Sequence, residues 1–335
     1  MKISVLHIAP LLLVAGTLSC STEFDPVIEA PSIPVVYSLF NCYDTIQWVR
    51  LSKTFLLRGE FATSRIPKDS LSYSDARVTL ERWHDDYLLA RAELVREDRI
   101  REPGLFPREP NPIYVLIKNP DNQMIFTPPA KGDRVRLVID IPDQPLIFSE
   151  TLPVSSTPVS SPSREGEKID LYSSDYPFII EWKSQEYYQE MYLEMHYKDY
   201  YEDTAMPRKV IWREYHSIPP PLPENKNTGI KVPMTGAHMM ERIAANIRDD
   251  PEVMIRTFEK IIIRLRFTDD HLYTYNLIYP IARSDMAGSV YSNIVNGYGL
   301  FGSEARSERW FTLNYRSADS LANGRYTKHL RFKNW

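Results

Sequence analysis

The residue whose position most clearly implies chemistry is Cys20, directly after Ser19. One cation, Lys2, stands near the start of the chain. An apolar run with Ile8, Leu11, Leu12, Leu13 and Val14 at its heart follows, and Gly16, Thr17, Leu18 and Ser19 close it. This is the order of a secretory signal: charged head, apolar middle, small residues at the cut. The run is shorter than the roughly 20 residues that span a bilayer. A cysteine at the cut supplies a thiol that can take a lipid and become the new N-terminus, although Thr17 occupies the place where Leu is commonest. At about 0.8 kcal/mol per buried methylene, several acyl chains on one residue anchor a protein almost permanently. The only other cysteine is Cys42. With Cys20 lipidated, Cys42 has no disulfide partner, and packing must supply the stability.

Other reactive side chains lack the spacing that chemistry needs. The seven histidines include no H-E-x-x-H and no ligand-like pair, so no metal is expected. His196 and His238 read as polar positions on a strand and a helix. No G-x-S-x-G marks a nucleophile elbow. The pairs Asp85/Asp86, Asp249/Asp250 and Asp269/Asp270 are adjacent in sequence, whereas glycosidase carboxylates face each other across roughly 5 to 9 Å. They sit where turns and caps favour Asp. Two stretches are open. Tyr187, Tyr188, Tyr192, Tyr197, Tyr200 and Tyr201 crowd the region 187–201, either as a recognition surface or as strand residues covering a core. Tyr291–Ser303 combines Asn293, Asn296, Gly297, Gly299 and Gly302 with the apolar Ile294, Leu300 and Phe301. The Asn side chains can bond the local backbone, and the glycines allow positive φ. This predicts an ordered loop whose apolar anchors are buried in the second domain, serving either recognition or structure.

The elements that must position these residues read as strands. The chain has 335 residues, 26 Pro, 12 Gly and 21 Tyr, which favours short strands over helices. Its formal net charge of −4 becomes one unit more negative when Lys2 leaves with the signal, so no nucleic-acid partner is expected. Strands are predicted at 35–40, 45–55, 76–83, 87–95, 112–118, 134–141 and 146–152. In the second of these Ile46, Trp48, Val49 and Leu51 alternate with Gln47, Arg50 and Ser52, with a slip at Trp48–Val49. Further strands are predicted at 176–182, 191–197, 209–215, 258–267, 310–315 and 326–332. Residues 236–248 form the one good helix, with Thr235 as N-cap and Met239, Met240, Ile243, Ala244 and Ile247 at helical spacing. Asp269/Asp270 begin a second short helix through Leu277.

The resulting organisation is a signal peptide at 1–19, a tether at 20–33, an immunoglobulin-like β-sandwich at 34–152, a Pro/Ser-rich linker at 153–164, and a β-rich domain at 165–335. Such linkers are also where proteases cut first. The fold class is mostly β, with two sandwich-like domains, the second carrying one or two short helices.

The N-I-x-N-G-x-G-x-F-x-S pattern from Asn293 to Ser303, followed by a strand, resembles envelope lipoproteins of Bacteroidetes-type bacteria, domain-of-unknown-function family 4249 or a close relative. Val35-Val36-Tyr37 and the run Trp48–Phe55 resemble that family's opening strands. Arg136–Ile139 with Glu150–Pro153 resembles the end of its first domain. Acids after the lipid site, here Glu23 and Asp25, resemble a surface-export signal in some such proteins. The resemblance implies a lipid-anchored, surface-exposed outer-membrane protein with β-sandwich domains, and it carries no catalytic residues. The expectation is a binding or assembly module without catalysis or cofactor, its partners being the membrane and either outer-membrane proteins or glycans. The alternative is an envelope hydrolase acting on glycans.

Overall fold

The computed structural model describes residues 32–54, 72–99, 111–172, 177–184, 186, 188–217, 229–284 and 291–333. The signal, Cys20, nearly all of the tether and Tyr187 lie outside them. Among the described residues the chain forms β1 (Pro34–Phe40), β2 (Ile46–Lys53), β3 (Arg77–His84), β4 (Tyr87–Glu93), β5 (Val95–Arg99), β6 (Asn111–Ile117), β7 (Asp133–Asp140) and β8 (Ile147–Thr151). Next come β9 (Val159–Ser161), β10 (Glu167–Ile169), β11 (Phe178–Lys183), β12 (Tyr188–Tyr200), β13 (Ala205–His216), β14 (Gly229–Met234) and helix α1 (Gly236–Asn246). The chain continues through β15 (Ile255–Thr268), α2 (Asp270–Ser284), β16 (Tyr298–Leu313) and α3 (Tyr315–Asn323). Among the described residues the fold is mostly β and sandwich-like, with three helices.

Alternation builds two cores. Val36, Phe40, Val49, Leu51, Val78, Leu80, Val135, Leu137 and Ile139 point into the first. The second gathers Trp182, Met191, Leu193, Met195, Ile261, Ile263, Leu265 and Phe267 from the long strands, with Met239 and Ile243 from α1. The Thr235 hydroxyl caps α1 by accepting from the His238 N–H, as its sequence predicts.

The expected slip in β2 does not occur. Gln47 points inward, fully buried, and Trp48 points out. A buried amide is tolerable when it is bonded. Gln47 accepts from the Asn41 N–H at 3.1 Å and donates to the Asn41 carbonyl at 2.7 Å.

One sheet runs in the order β13-β12-β15-β16-β1-β2-β6-β5, with β10 also pairing β16. Smaller sheets are β14-β11-β9 and β4-β3-β7-β8. β16 serves both cores. Its first part, Tyr298–Ser303, pairs in parallel with Val35–Phe40. Its later part, Glu304–Phe311, pairs antiparallel with Ile261–Thr268.

Two local expectations are corrected, and a third strand is longer than expected. Residues 153–164 are not a free linker, because they contain β9, which pairs with β11. Val154 and Val159 are buried, and Val154 N–H donates to Ser303 Oγ at 3.1 Å. Residues 326–332, expected as a strand, form a 3-10 turn at Lys328–Leu330, and only Phe332 bridges to Arg256. The strand expected at 310–315 is the tail of β16; Asn314 ends it by capping α3, its side chain accepting from Ser317 N–H.

Candidate functional site

The Asn/Gly loop before β16 is the most fully built of the candidates. Asn293 lies beside Phe301 and bonds it twice: its Nδ2 donates to the Phe301 carbonyl at 2.7 Å, and its Oδ1 accepts from the Phe301 N–H at 3.0 Å. The side chain thereby replaces a missing strand neighbour. The Asn293 carbonyl accepts from Ser149 Oγ at 2.8 Å. Val295 bridges Phe148, its N–H donating to the Phe148 carbonyl at 2.9 Å. Asn296 takes φ +58°, a region Asn tolerates, and its Nδ2 reaches the Leu146 carbonyl at 2.8 Å.

Of the three glycines only Gly299 has positive φ, at +122°. A Cβ there would lie 1.8 Å from the Val36 carbonyl oxygen. Gly299 is therefore what lets β16 run beside β1. Ile294, Leu300 and Phe301 are buried as expected. Leu300 and Phe301, however, belong to a strand rather than a loop, and Ile294 and Phe301 fill the first core, not the second. The reason is the parallel pairing of β16 with β1, which no local pattern reveals. Asn293, Asn296, Gly297, Gly299 and Phe301 are thus brought together as a clasp that closes the first sandwich with a segment from late in the chain.

The clasp meets a buried acid. Asp269 caps α2, its Oδ1 accepting from the Leu272 N–H at 2.9 Å. Its other oxygen accepts from the Thr151 hydroxyl at the end of β8. Its own N–H donates to the Ser303 carbonyl at 3.0 Å. Burial raises its pKa to about 6, against the pull of these hydrogen bonds. Nearby, His271 Nδ1 lies 2.6 Å from the Tyr291 hydroxyl. Sequence reading found the cap and missed its reach to Thr151, which is 118 residues away.

The tyrosines of 188–201 divide between the faces of β12 and its end. Tyr197 is buried in the second core and meets Phe332 edge-on. Tyr192 donates to Glu190. Tyr188 stacks on Tyr273 with centroids 4.0 Å apart. They do not make one surface. His196 and His238 lie 2.6 and 2.9 Å from Glu194 and Glu214, as polar pairs. Among the described residues no cluster of three or more His, Cys, Asp or Glu could hold a metal. Cys42 is buried and free, and burial pushes its thiol up to about 11.

A polar cleft of about 640 Å³ is lined by Asp199, Arg208, Arg248, Asp249, Asp250 and Arg256, among others. Three of its acids are committed to structure. Asp199 holds Arg256 at 2.8 Å and Arg208 at 3.1 Å. Asp249 holds Arg331 at 2.9 Å, and Asp250 accepts from Glu252 N–H at 3.0 Å.

The open feature is the outer face of the large sheet. On that face the exposed Trp48 of β2, the buried Val115 of β6 and the exposed Val95 of β5 form a line, and Leu39 of β1 is exposed as well. Ile117 stands beside it, paired with Ile46. Trp48 is 44%, Ile117 55% and Val95 66% exposed. The Arg99 guanidinium lies 4.5 Å over the Trp48 ring, a cation–π contact that leaves the ring edge in water. Only the alternation of the outer residues could have shown this row, and Trp48 had been assigned to the inside.

Together these features define a mostly β protein with two cores, clasped by its own late strand. Residues 21–309 match a family described as a domain of unknown function, DUF4249, and the chain belongs to that family. No curated protein matches the chain.

Proposed function

We propose that this protein is anchored in the outer membrane of the cell envelope by a lipid on Cys20 and acts there as a binding or assembly module. The observation that carries the binding part is the group of exposed apolar side chains Leu39, Trp48, Ile117 and Val95 around the buried Val115. Apolar side chains exposed together on one sheet face mark interaction sites. A sheet face is also a flat platform, suited to a protein surface or a glycan ring, and Trp is favoured at such contacts. The anchor rests on the Met1–Cys20 pattern. The Asp199, Asp249 and Asp250 carboxylates of the polar cleft are held by arginines and backbone, which suits a structural role for them.

Two measurements test the reading. Metabolic labelling with a fatty-acid analogue should mark wild type and not Cys20→Ala, and the variant should leave the membrane fraction or persist as a precursor. A Cys20→Ala protein that still labels and still sediments with membrane ends the anchor reading. Trp48→Asp with Ile117→Asp should fold normally and lose the envelope partners that co-purify with wild type. Unchanged partners in that variant end the binding role of this face.

A further inference from the structure

The row on the large sheet leaves a second exposed apolar group unexplained, at the end of the fold where the chain enters from the tether. Leu146 is 50%, Val295 44% and Tyr298 50% exposed, and Ile33 and Phe148 are exposed as well. They come from separate segments: the residue before β1, the entry to β8, the clasp, and the first residue of β16. The structure draws them together. Val295 bridges Phe148, Asn296 bonds the Leu146 carbonyl, and Tyr298 pairs with Val35, two residues from Ile33. A Cβ on Gly297 would lie 3.0 Å from the Pro34 carbonyl oxygen, so the clasp touches the start of β1.

We propose that this end, with Ile33, Leu146, Phe148, Val295 and Tyr298, rests against the lipid surface in which Cys20 is anchored. The proposal rests on the lipid-anchor reading above. The occupant follows from chain length. Residues 21–33 separate the cysteine from the patch, and thirteen residues reach at most about 45 Å when fully extended. Ile33 is thus held within about 45 Å of the lipid, and the described fold begins beside it. The tips of the clasp also approach lipid without stranding polar backbone. Val295 N–H, Gly299 N–H and the Asn293 carbonyl are bonded to Phe148, Ser292 and Ser149 respectively, so desolvating them carries no unpaired-group cost. Acyl chains on Cys20 would supply the retention, and the patch would set orientation, turning the Trp48 row to a defined angle from the bilayer.

The test uses the lipidated full-length chain in phosphatidylcholine vesicles, with an environment-sensitive nitrobenzoxadiazole label on Val295→Cys or, as a control, on Tyr315→Cys. Cys42 is buried and free, so the introduced thiol is the accessible one. Equal melting of both labelled proteins and wild type confirms folding. The expected result is a blue-shifted, brightened signal at position 295 on vesicle binding, quenched by brominated acyl chains, and an unchanged aqueous signal at 315. Protein that floats with vesicles while 295 and 315 both stay aqueous overturns the proposal and leaves the anchor reading standing. Shielding of 295 only when envelope proteins are added assigns the patch to a protein partner and likewise overturns it. Failure of wild type to float overturns the anchor reading and this proposal together.

Discussion

Asp269 joins the end of β8 and the start of α2 through its carboxyl group and β16 through its N–H, and burial raises its pKa to about 6 from the ordinary 3.8. The native state therefore holds a proton that the unfolded chain releases between those values. The contribution is fully present below about pH 4 and is lost as pH rises through 6. Wild type is expected to be more stable at pH 5 than at pH 7.5, by about 1.4 kcal/mol. Asp269→Asn keeps the cap, since Asn serves as well as Asp there, and should flatten this part of the profile. Denaturant melts of both proteins across pH 4–8 check it, and an unchanged profile in the variant refutes the assignment. At the same scale, Gly299→Ala places a methyl against the Val36 carbonyl at positive φ. It should cost more than about 2 kcal/mol through strain and steric clash, which the same melts would reveal.

Among the elements, β16 carries the heaviest structural duty. Phe301 on its first half is fully buried in the first core. Phe301→Ala should destabilise by about 3–5 kcal/mol, and a wild-type-like melting curve would show that the clasp does not secure the core. The C-terminal turn is held by a different device. Arg256 is fully buried, donating to Asp199 at 2.8 Å, to the Leu330 carbonyl at 2.8 Å and to the Arg248 carbonyl at 3.2 Å. Arg256→Met should cost about 3 kcal/mol, the low end for breaking a buried pair, because Arg208 still holds Asp199. Adding Asp199→Asn should recover part of that loss, and a double-mutant cycle measures the coupling.

Across the whole molecule, the two cores share one continuous sheet through β16. Residues 153–164 are pinned to both halves: Ser156 N–H donates to the Tyr43 hydroxyl at 3.1 Å and its Oγ to the Arg306 carbonyl at 2.8 Å. The halves should therefore unfold in a single cooperative transition, with coincident curves from near- and far-ultraviolet circular dichroism. Cleavage within 153–164 should wait for that transition. Two separated transitions, or early cuts there, would show that the halves are independent in solution.

What the sequence determined by itself was local. The strands at 35–40, 76–83, 134–141 and 258–267 and the helix capped by Thr235 are legible because alternation, helical spacing and capping act over a few residues. The pattern at Asn293–Ser303 was also legible as an ordered stretch with buried apolar anchors, since its glycine and asparagine demands are local. Tertiary structure decided which core received Ile294 and Phe301, because β16 pairs with a strand more than 250 residues earlier and hydrophobic pattern names a face, never its partner. It decided that Gln47 is inside and Trp48 outside, because Asn41 satisfies the amide there. It turned the Ser/Pro stretch after Leu152 into bonded structure, because partners distant in sequence supply the hydrogen bonds. Pairing register across a sheet depends on contacts that form only once both halves are folded, and that dependence separates what was readable from what was not.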